Sequence, residues 1–226
     1  MASMAYEPTP QLLAELDEVN AKLEREAPSK AIEWAVDRFE GNLSMACSFQ
    51  DLVALDLALE VMPTMEILFL ETGASFPETV QFAEEQRLLR NLHLTVTQPG
   101  PEAEGHPCGS DGCCQLRKVE PLRRALDGRL AWVTSLKRVD APTRAEIPVV
   151  GWDATFGLVK VNPLATWTED DVDYYLSSKG LATHPLWAKG YRSIGCAPTT
   201  RPVAPGEDYR AGRWSGTDKV ECGLHE

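Results

Sequence analysis

The fold of this chain is constrained most by the way short apolar segments alternate with segments of helical periodicity. The strand-like segments are residues 43–47, 66–70, 92–97, 130–134 and 158–161. The helical segments among them are residues 51–61, 78–89 and 113–126, with a further helix entry at 168–171. Alternation at this spacing predicts an α/β fold, in which a mainly parallel sheet has helices on both faces. Ligands of such folds bind beyond the carboxyl ends of the strands.

The two ends of the chain differ from this alternating middle. Amphipathic helices are predicted at residues 10–26 and 29–39, as either a packing or an assembly element. From Gly195 onward glycine, proline and charged residues dominate, which predicts an irregular, mobile C-terminal tail that is either disordered or held by ligand contacts. We therefore expect N-terminal helices at 1–40, a main domain at 41–202 and a tail at 203–226.

The charge balance limits the partners of the protein. It has 22 Lys and Arg against 34 Asp and Glu, a net charge of -12. This acidity argues against nucleic acid or an anionic membrane as main partner, and an anionic substrate would need a local basic pocket. No apolar run approaches ~18 residues, and the first residues lack the basic and apolar regions of a signal peptide. We expect a cytoplasmic protein, where six cysteines indicate metal or redox chemistry.

Three of the cysteines stand out by position. Cys222 lies near the C-terminus, where a thiol that must visit two partners in turn would benefit from a movable segment, although a stray exposed cysteine is the alternative. Cys113 and Cys114 are adjacent and would make a strained mutual disulfide. An iron–sulfur cluster tolerates such a pair, because each thiolate can bind a different iron. The alternative is a pair of ordinary half-buried thiols.

Seven segments of the sequence carry a resemblance to a known family. They are FLETG at 69–73, FPET at 76–79, CCQLRKVEPL at 113–122, KVNPL at 160–164, SIGCAP at 193–198, GRW at 212–214 and ECGLH at 221–225. In this order they resemble the assimilatory sulfonucleotide reductases, the adenosine 5'-phosphosulfate (APS) reductase family, from about residue 42 to the end. The segment KRVDAPTR at 137–144 resembles the actinobacterial members.

The resemblance implies a fold and a reaction. The fold would be of the ATP pyrophosphatase type (adenine nucleotide alpha hydrolase-like), with residues 41–202 as the nucleotide-binding reductase domain. Residues 44–51 would form its phosphate-facing loop without the glycine-rich ATP signature. The reaction would be thioredoxin-dependent reduction of APS to sulfite and AMP, through an enzyme S-sulfocysteine at Cys222. His225 would share the site with Cys222, and the substrate-binding candidates are Lys118, Arg138, Arg144, Arg210, Arg213 and Ser48.

The resemblance also implies a [4Fe–4S] cluster, with one departure. Cluster-bearing relatives read Cys-Ala-Pro-Cys, which together with the tandem pair gives four ligands. Here Cys113, Cys114 and Cys196 are kept, and the fourth position is Thr199. One iron would then be left to water, to a threonine oxygen or to a displaced Cys108.

Three alternative functions remain at this point. The chain could reduce the 3'-phosphorylated nucleotide, 3'-phosphoadenosine 5'-phosphosulfate (PAPS), or both nucleotides. A tRNA-modifying enzyme of the same fold would be expected to show a glycine-rich ATP loop and a basic surface, and the sequence has neither. A non-catalytic domain could hold structural zinc through the same cysteines, although zinc sites usually space them by ~2–4 residues. The oligomeric state is not predicted.

Overall fold

The computed structural model describes residues 7–217 together with Lys219, Glu221 and Leu224. The helices are α1 (Pro10–Leu23), α2 (Pro28–Arg38), α3 (Val53–Val61), α4 (Pro77–Arg90), α5 (Glu120–Ala125) and α6 (Glu169–Lys179). The strands are β1 (Leu43–Ala46), β2 (Glu66–Leu70), β3 (His93–Thr97), β4 (Ala131–Val133), β5 (Val150–Asp153) and β6 (Leu158–Val161). In the described part of the chain, none of the helices combines the length and apolar character of a membrane span.

The strands form one mainly parallel sheet, as the sequence predicts. Their order is β3-β2-β1-β4-β6-β5. Strand β4 pairs in parallel with β1, where Leu43 lies opposite Ala131, and with β6. Strand β5 is antiparallel to β6 and was not among the predicted strands. It escapes prediction because it contains a glycine and ends in aspartate, both of which are depleted in strands.

One compact unit comprises the residues up to Cys47, Val53–Ile67 and Leu126–Lys179. Its N-terminal helices belong to the packing of this unit. Thr9 caps α1 by accepting the backbone N–H of Leu12, and the Oδ1 atom of Asn20 accepts the N–H of Val149 at 2.7 Å. The first of these bonds fixes the start of α1, and the second ties α1 to the entry of β5.

The other unit comprises Ser48–Leu52, Leu68–Ala125 and the chain from Gly180 onward. Phe49 and Phe69 pack edge to face in its core, with ring centroids 5.5 Å apart. The described part of the segment after Gly195 has a short 3₁₀ turn, Ala197–Thr199, and an isolated bridge between Thr200 and Arg213. Backbone hydrogen bonds, such as that from the Ser215 N–H to the Thr199 carbonyl, fasten its described part.

Candidate functional site

The tandem cysteines lie in the second unit, immediately before a π-helical turn, Gln115–Val119. Their sulfur atoms are 3.9 Å apart. Cys113 is buried, and its sulfur accepts the backbone N–H of Gly109 at 3.3 Å. A π-turn inserts one extra residue into a helix and is frequent at functional sites. The pair is therefore held on an irregular turn, with one sulfur already hydrogen-bonded.

Cys196 lies at the start of the 3₁₀ turn Ala197–Thr199 in the same unit. Its sulfur is 3.7 Å from Oγ1 of Thr72 and is also hydrogen-bonded to the thiol of Cys108. That bond from Cys108, together with the charges of Lys118 and Arg213, lowers the pKa of the Cys196 thiol against the opposing effect of burial. The same bond and burial raise the pKa of Cys108. These effects favour ionisation of Cys196 over ionisation of Cys108.

Thr199 lies beside Cys108. Its Oγ1 atom is 3.9 Å from the Cys108 sulfur, and a β-carbon at Gly109 would lie 3.3 Å from its methyl carbon. Among the described residues, no group of three or more His, Cys, Asp or Glu side chains could hold a metal ion. The thiols of this unit nevertheless gather into two neighbouring pairs, Cys113 with Cys114 and Cys108 with Cys196.

Two cations lie near the indole ring of Trp214. Nζ of the buried Lys118 lies 5.8 Å from the ring centroid, and the Arg213 guanidinium carbon lies 5.5 Å from it. The φ angle of Trp214 is 59°, which corresponds to a left-handed backbone conformation that bulky residues rarely adopt. Its Nε1 atom is buried and has no hydrogen-bond partner within the described ranges. Strain and an unpaired donor at one residue are typical of a functional site.

Arg213 is positioned by the chain segment that precedes Cys196. Its Nη1 atom donates to the carbonyl of Ile194 at 3.1 Å and to Oγ of Ser193 at 3.4 Å. A β-carbon at Gly195 would lie 2.6 Å from the guanidinium carbon. Only glycine at 195 allows this approach, which explains its place in the SIGCAP segment.

The loop after β1 contacts the same segment. Oε1 of Gln50 accepts the N–H of Ile194 at 2.9 Å and the hydroxyl of Ser193 at 3.3 Å. Ser48 is exposed, and its Oγ atom accepts the Gln50 N–H at 3.5 Å. The predicted phosphate-facing loop is therefore linked through Gln50 to the SIGCAP segment.

The other predicted site residues that the structure describes have contacts of their own, and two lie outside the described residues. Arg138 and Arg144 belong to the first unit, where Arg138 forms a two-bond ion pair with Glu24 and Arg144 pairs with Asp140 at 2.8 Å. The backbone N–H of Arg210 donates to Asp208. Cys222 and His225 lie outside the described residues.

One residue without a predicted role organises the site. Arg117 donates to three backbone carbonyls, those of Thr72 at 2.8 Å, Ala103 at 2.8 Å and His106 at 3.1 Å. Its guanidinium therefore fastens the loop after β2 to the loop that precedes the tandem cysteines. An arginine beside a lysine suggests two surface charges, and nothing in the sequence separates the internal role of Arg117 from the role of Lys118.

Comparison with known proteins finds one matching family model and several proteins that are similar over most of their length. The family model described as the phosphoadenosine phosphosulfate reductase domain matches residues 41–202. An adenosine 5'-phosphosulfate reductase of Mycolicibacterium smegmatis is 41% identical over 216 residues, covering 91% of each chain. Another of Streptomyces coelicolor is 39% identical over 228 residues, covering 96% of each.

Comparison with solved structures finds proteins whose fold is similar to that of this chain. A phosphoadenylyl-sulfate (PAPS) reductase from Candida auris, in a phosphate complex, aligns with a TM-score of 0.73 at 25% identity, over 87% of this chain and 100% of that one. An FMN adenylyltransferase from Candida glabrata aligns with a TM-score of 0.59 at 16% identity, over 84% of this chain and 74% of that one. The second likeness concerns the fold alone. Both neighbours agree with the predicted nucleotide-binding α/β architecture.

Proposed function

The chain belongs to the phosphoadenosine phosphosulfate reductase domain family, and from this premise we propose that it reduces APS to sulfite and AMP. The relatives that support APS as substrate are named adenosine 5'-phosphosulfate reductases and are similar over nearly their full length. The enzyme is then an oxidoreductase that acts on a sulfur group, in sulfate assimilation. We place it in the cytoplasm, in keeping with its composition.

The observation that carries this proposal is the cationic site around Trp214. The protein as a whole is strongly acidic, yet Lys118 and Arg213 both lie close to one indole ring. A phosphosulfate is an anion that needs charge-assisted hydrogen bonds, and arginine and lysine donate them well. The indole N–H of Trp214 adds a donor that no described residue uses. Ser48 and Arg210 complete the proposed anion site.

The proposed chemistry uses Cys222 as a nucleophile. Its thiolate attacks the sulfur of APS, the bond between sulfur and the phosphate oxygen breaks, and AMP leaves with that electron pair. An S-sulfocysteine remains on the enzyme. A thioredoxin thiolate then attacks the Cys222 sulfur and releases sulfite, and its second thiol resolves the mixed disulfide, so that thioredoxin supplies two electrons. His225 would contact the phosphosulfate beside Cys222.

We also propose that Cys113, Cys114 and Cys196 bind a [4Fe–4S] cluster. The donor set fits, because soft thiolates suit iron–sulfur clusters and each thiolate binds a different iron, so the ligands need not converge on one point. Backbone N–H donation to Cys113 is a further feature of such sites. When bound, the cluster would tie the tandem cysteines to the segment of Cys196 and so fix Lys118, only four residues beyond Cys114. A brown protein supports this cofactor, whereas a colourless zinc protein would contradict it.

The test of the function is an assay of the purified protein with thioredoxin and each nucleotide. We expect sulfite from APS, and an intact-mass gain of one SO3 group when thioredoxin is left out. Cys222→Ser should bind nucleotide but gain no such group. A sulfo-adduct that persists in Cys222→Ser would refute the assignment of the nucleophile.

The second candidate is reduction of PAPS. It is favoured by the description of the family model and by the structural likeness to the Candida auris reductase. The same assay separates the two, because turnover of PAPS with no turnover of APS would replace the first proposal.

A further inference from the structure

Cys108 is one of the two thiols that the proposed function leaves unused, the other being Cys47. It lies five residues before Cys113, in a loop that the sequence marks only by its polar and glycine-rich composition. In the structure its sulfur is 3.9 Å from Oγ1 of Thr199 and is hydrogen-bonded to Cys196. A fourth thiol thus reaches the residue that stands at the position of the missing cluster cysteine.

The loop that carries Cys108 is held by hydrogen bonds. Ser110 donates to the carbonyl of Pro107 through both its backbone N–H, at 3.1 Å, and its hydroxyl, at 2.8 Å. The carbonyl of Ser110 in turn accepts Nζ of Lys219 at 2.8 Å. Several hydrogen bonds of the loop therefore fix the position of Cys108, which does not depend on a single contact.

Gly109 explains how this loop comes so near Thr199. Its φ is 95, a left-handed conformation that favours glycine. A β-carbon there would lie 3.3 Å from the methyl carbons of both Thr199 and Thr217. At the same time the Gly109 N–H donates to the sulfur of Cys113. One glycine thus links the Cys108 loop to the tandem cysteines and to the 3₁₀ turn after Cys196.

Ligand chemistry favours Cys108 over Thr199 as the fourth donor. Iron in a cluster prefers thiolate to a neutral hydroxyl, which is a harder and weaker ligand. A side-chain thiol within 4 Å of the threonine oxygen can take the iron that the threonine would leave without sulfur. The loss of cysteine at position 199 would then be compensated by a cysteine from the neighbouring loop.

We propose that Cys108 is the fourth thiolate ligand of the cluster, in place of the cysteine that cluster-bearing relatives carry at the position of Thr199. The proposal rests on the cluster of the proposed function. It assigns the four corners to Cys108, Cys113, Cys114 and Cys196, and it leaves Thr199 as a neighbour without a bond to iron.

The test is the iron and sulfide content of full-length protein purified and reconstituted without oxygen, read together with Mössbauer and EPR spectra. The wild type should hold about four irons per chain, all with sulfur ligands. Cys108→Ser should hold about three, with the EPR signal of a three-iron cluster, or lose the cluster on brief exposure to air. Thr199→Ala should match the wild type, and so should Cys47→Ala, which removes a thiol of the other unit.

The decisive variant moves the proposed fourth thiol from position 108 to position 199. Cys108→Ser combined with Thr199→Cys should restore about four irons and the wild-type spectrum, because the thiol returns to the position used by the relatives. Circular dichroism should show that every variant is folded.

Two results would overturn the assignment in distinguishable ways. If Cys108→Ser keeps the wild-type spectrum while Cys113→Ser loses the cluster, then the cluster stands and Cys108 is not its ligand. If the wild type binds no iron and peptide mapping shows a disulfide between Cys108 and Cys196, then the cluster is absent and both proposals fail, although APS reduction itself can still be measured.

Discussion

At the scale of single residues, the two cations at Trp214 are positioned by the fold. Lys118 is buried, and Arg213 is held by the carbonyl of Ile194 in an approach that only a glycine at 195 allows. Lys189, by comparison, is an exposed cation that pairs with Glu78 at 2.8 Å. Position in the fold, and not charge alone, therefore distinguishes candidate anion ligands from solvated ion pairs.

Removal of either cation should weaken substrate binding. Lys118→Ala and Arg213→Ala should each raise KM for APS about ten- to a hundredfold, since a charged hydrogen bond contributes about 1.5–3 kcal/mol. Added salt should raise KM more in the wild type than in either variant. The control is Lys189→Ala, which removes an exposed cation of the same unit and should leave KM unchanged. Steady-state kinetics with wild-type values for both site variants would remove these residues from the anion site.

Arg117 has a structural role that could not be predicted from the sequence. Its neighbour Lys118 matched a family position, whereas the three carbonyls that Arg117 binds come from segments distant in the sequence. Such a role depends on how the loops meet, and neither periodicity nor charge pattern encodes it. The same holds for Cys108, whose importance depends on its distance to Thr199.

Replacement of Arg117 by lysine should be costly despite the conserved charge. A lysine can reach one of the three carbonyls but cannot supply the planar fork, so at least two of them lose their donor. We expect a loss of about 2–4 kcal/mol in the free energy of unfolding and faster hydrogen exchange over residues 103–110. Arg87→Lys, which changes an exposed pair with Glu84 on α4, is the matched control and should cost less than about 1 kcal/mol. Equal losses in the two variants would show that Arg117 is not a structural clamp.

At the scale of elements, the strands were predicted better than the details of the helices. The five predicted strands are present, because buried parallel strands read as short continuous apolar runs. The segment 113–126 is largely helical as predicted, but Gln115–Val119 is a π-turn, and an α-helix, Glu120–Ala125, follows it. Hydrophobic spacing cannot separate the two forms, since one inserted residue shifts the apolar face by less than a third of a turn.

The C-terminal segment illustrates a different limit. Its lack of periodicity correctly indicated the absence of long elements, at least up to residue 217 where the described range ends. What orders it is a set of single backbone bonds, such as that between the Arg201 N–H and the Gly212 carbonyl at 2.9 Å. A β-carbon at Gly212 would lie 2.1 Å from the Arg201 carbonyl oxygen, so the glycine of GRW serves this approach. Pairing between irregular segments leaves no periodic signal in the sequence.

At the scale of the whole molecule, composition argued against some classes of partner but did not identify the function. A net charge of -12 made nucleic acid an unsuitable partner, but the order of several short motifs pointed to sulfonucleotides. The family match and the parallel sheet confirm that inference. Domain boundaries, the assignment of Cys222 and the identity of the cluster ligands stay predictions, to be decided by the experiments above.

The stability of the molecule in acid should depend on one buried histidine. In His184, Nδ1 accepts the N–H of Leu186 at 3.1 Å, so the proton sits on Nε2, which donates to Thr79 at 3.0 Å. The ring is 1% exposed, and burial lowers its pKa to about 4, against a smaller opposing effect of Glu78. Protonation of Nδ1 would remove the bond from Leu186 and leave a charge in the core.

The sign of the pH effect follows from these values. Below about pH 6.5 the histidine binds a proton in the unfolded chain, whereas in the folded chain it stays neutral down to about pH 4. The free energy of unfolding therefore falls as pH falls through this window. The lost free energy of unfolding approaches about 3 kcal/mol at the acid end. Urea unfolding at several pH values should show this loss in the wild type. His184→Gln should be less stable than the wild type near neutral pH, because it lacks the same hydrogen bonds, but its midpoint should decline less between about pH 6.5 and pH 4. Parallel decline of the two proteins would mean that other groups, such as paired carboxylates, control unfolding in acid.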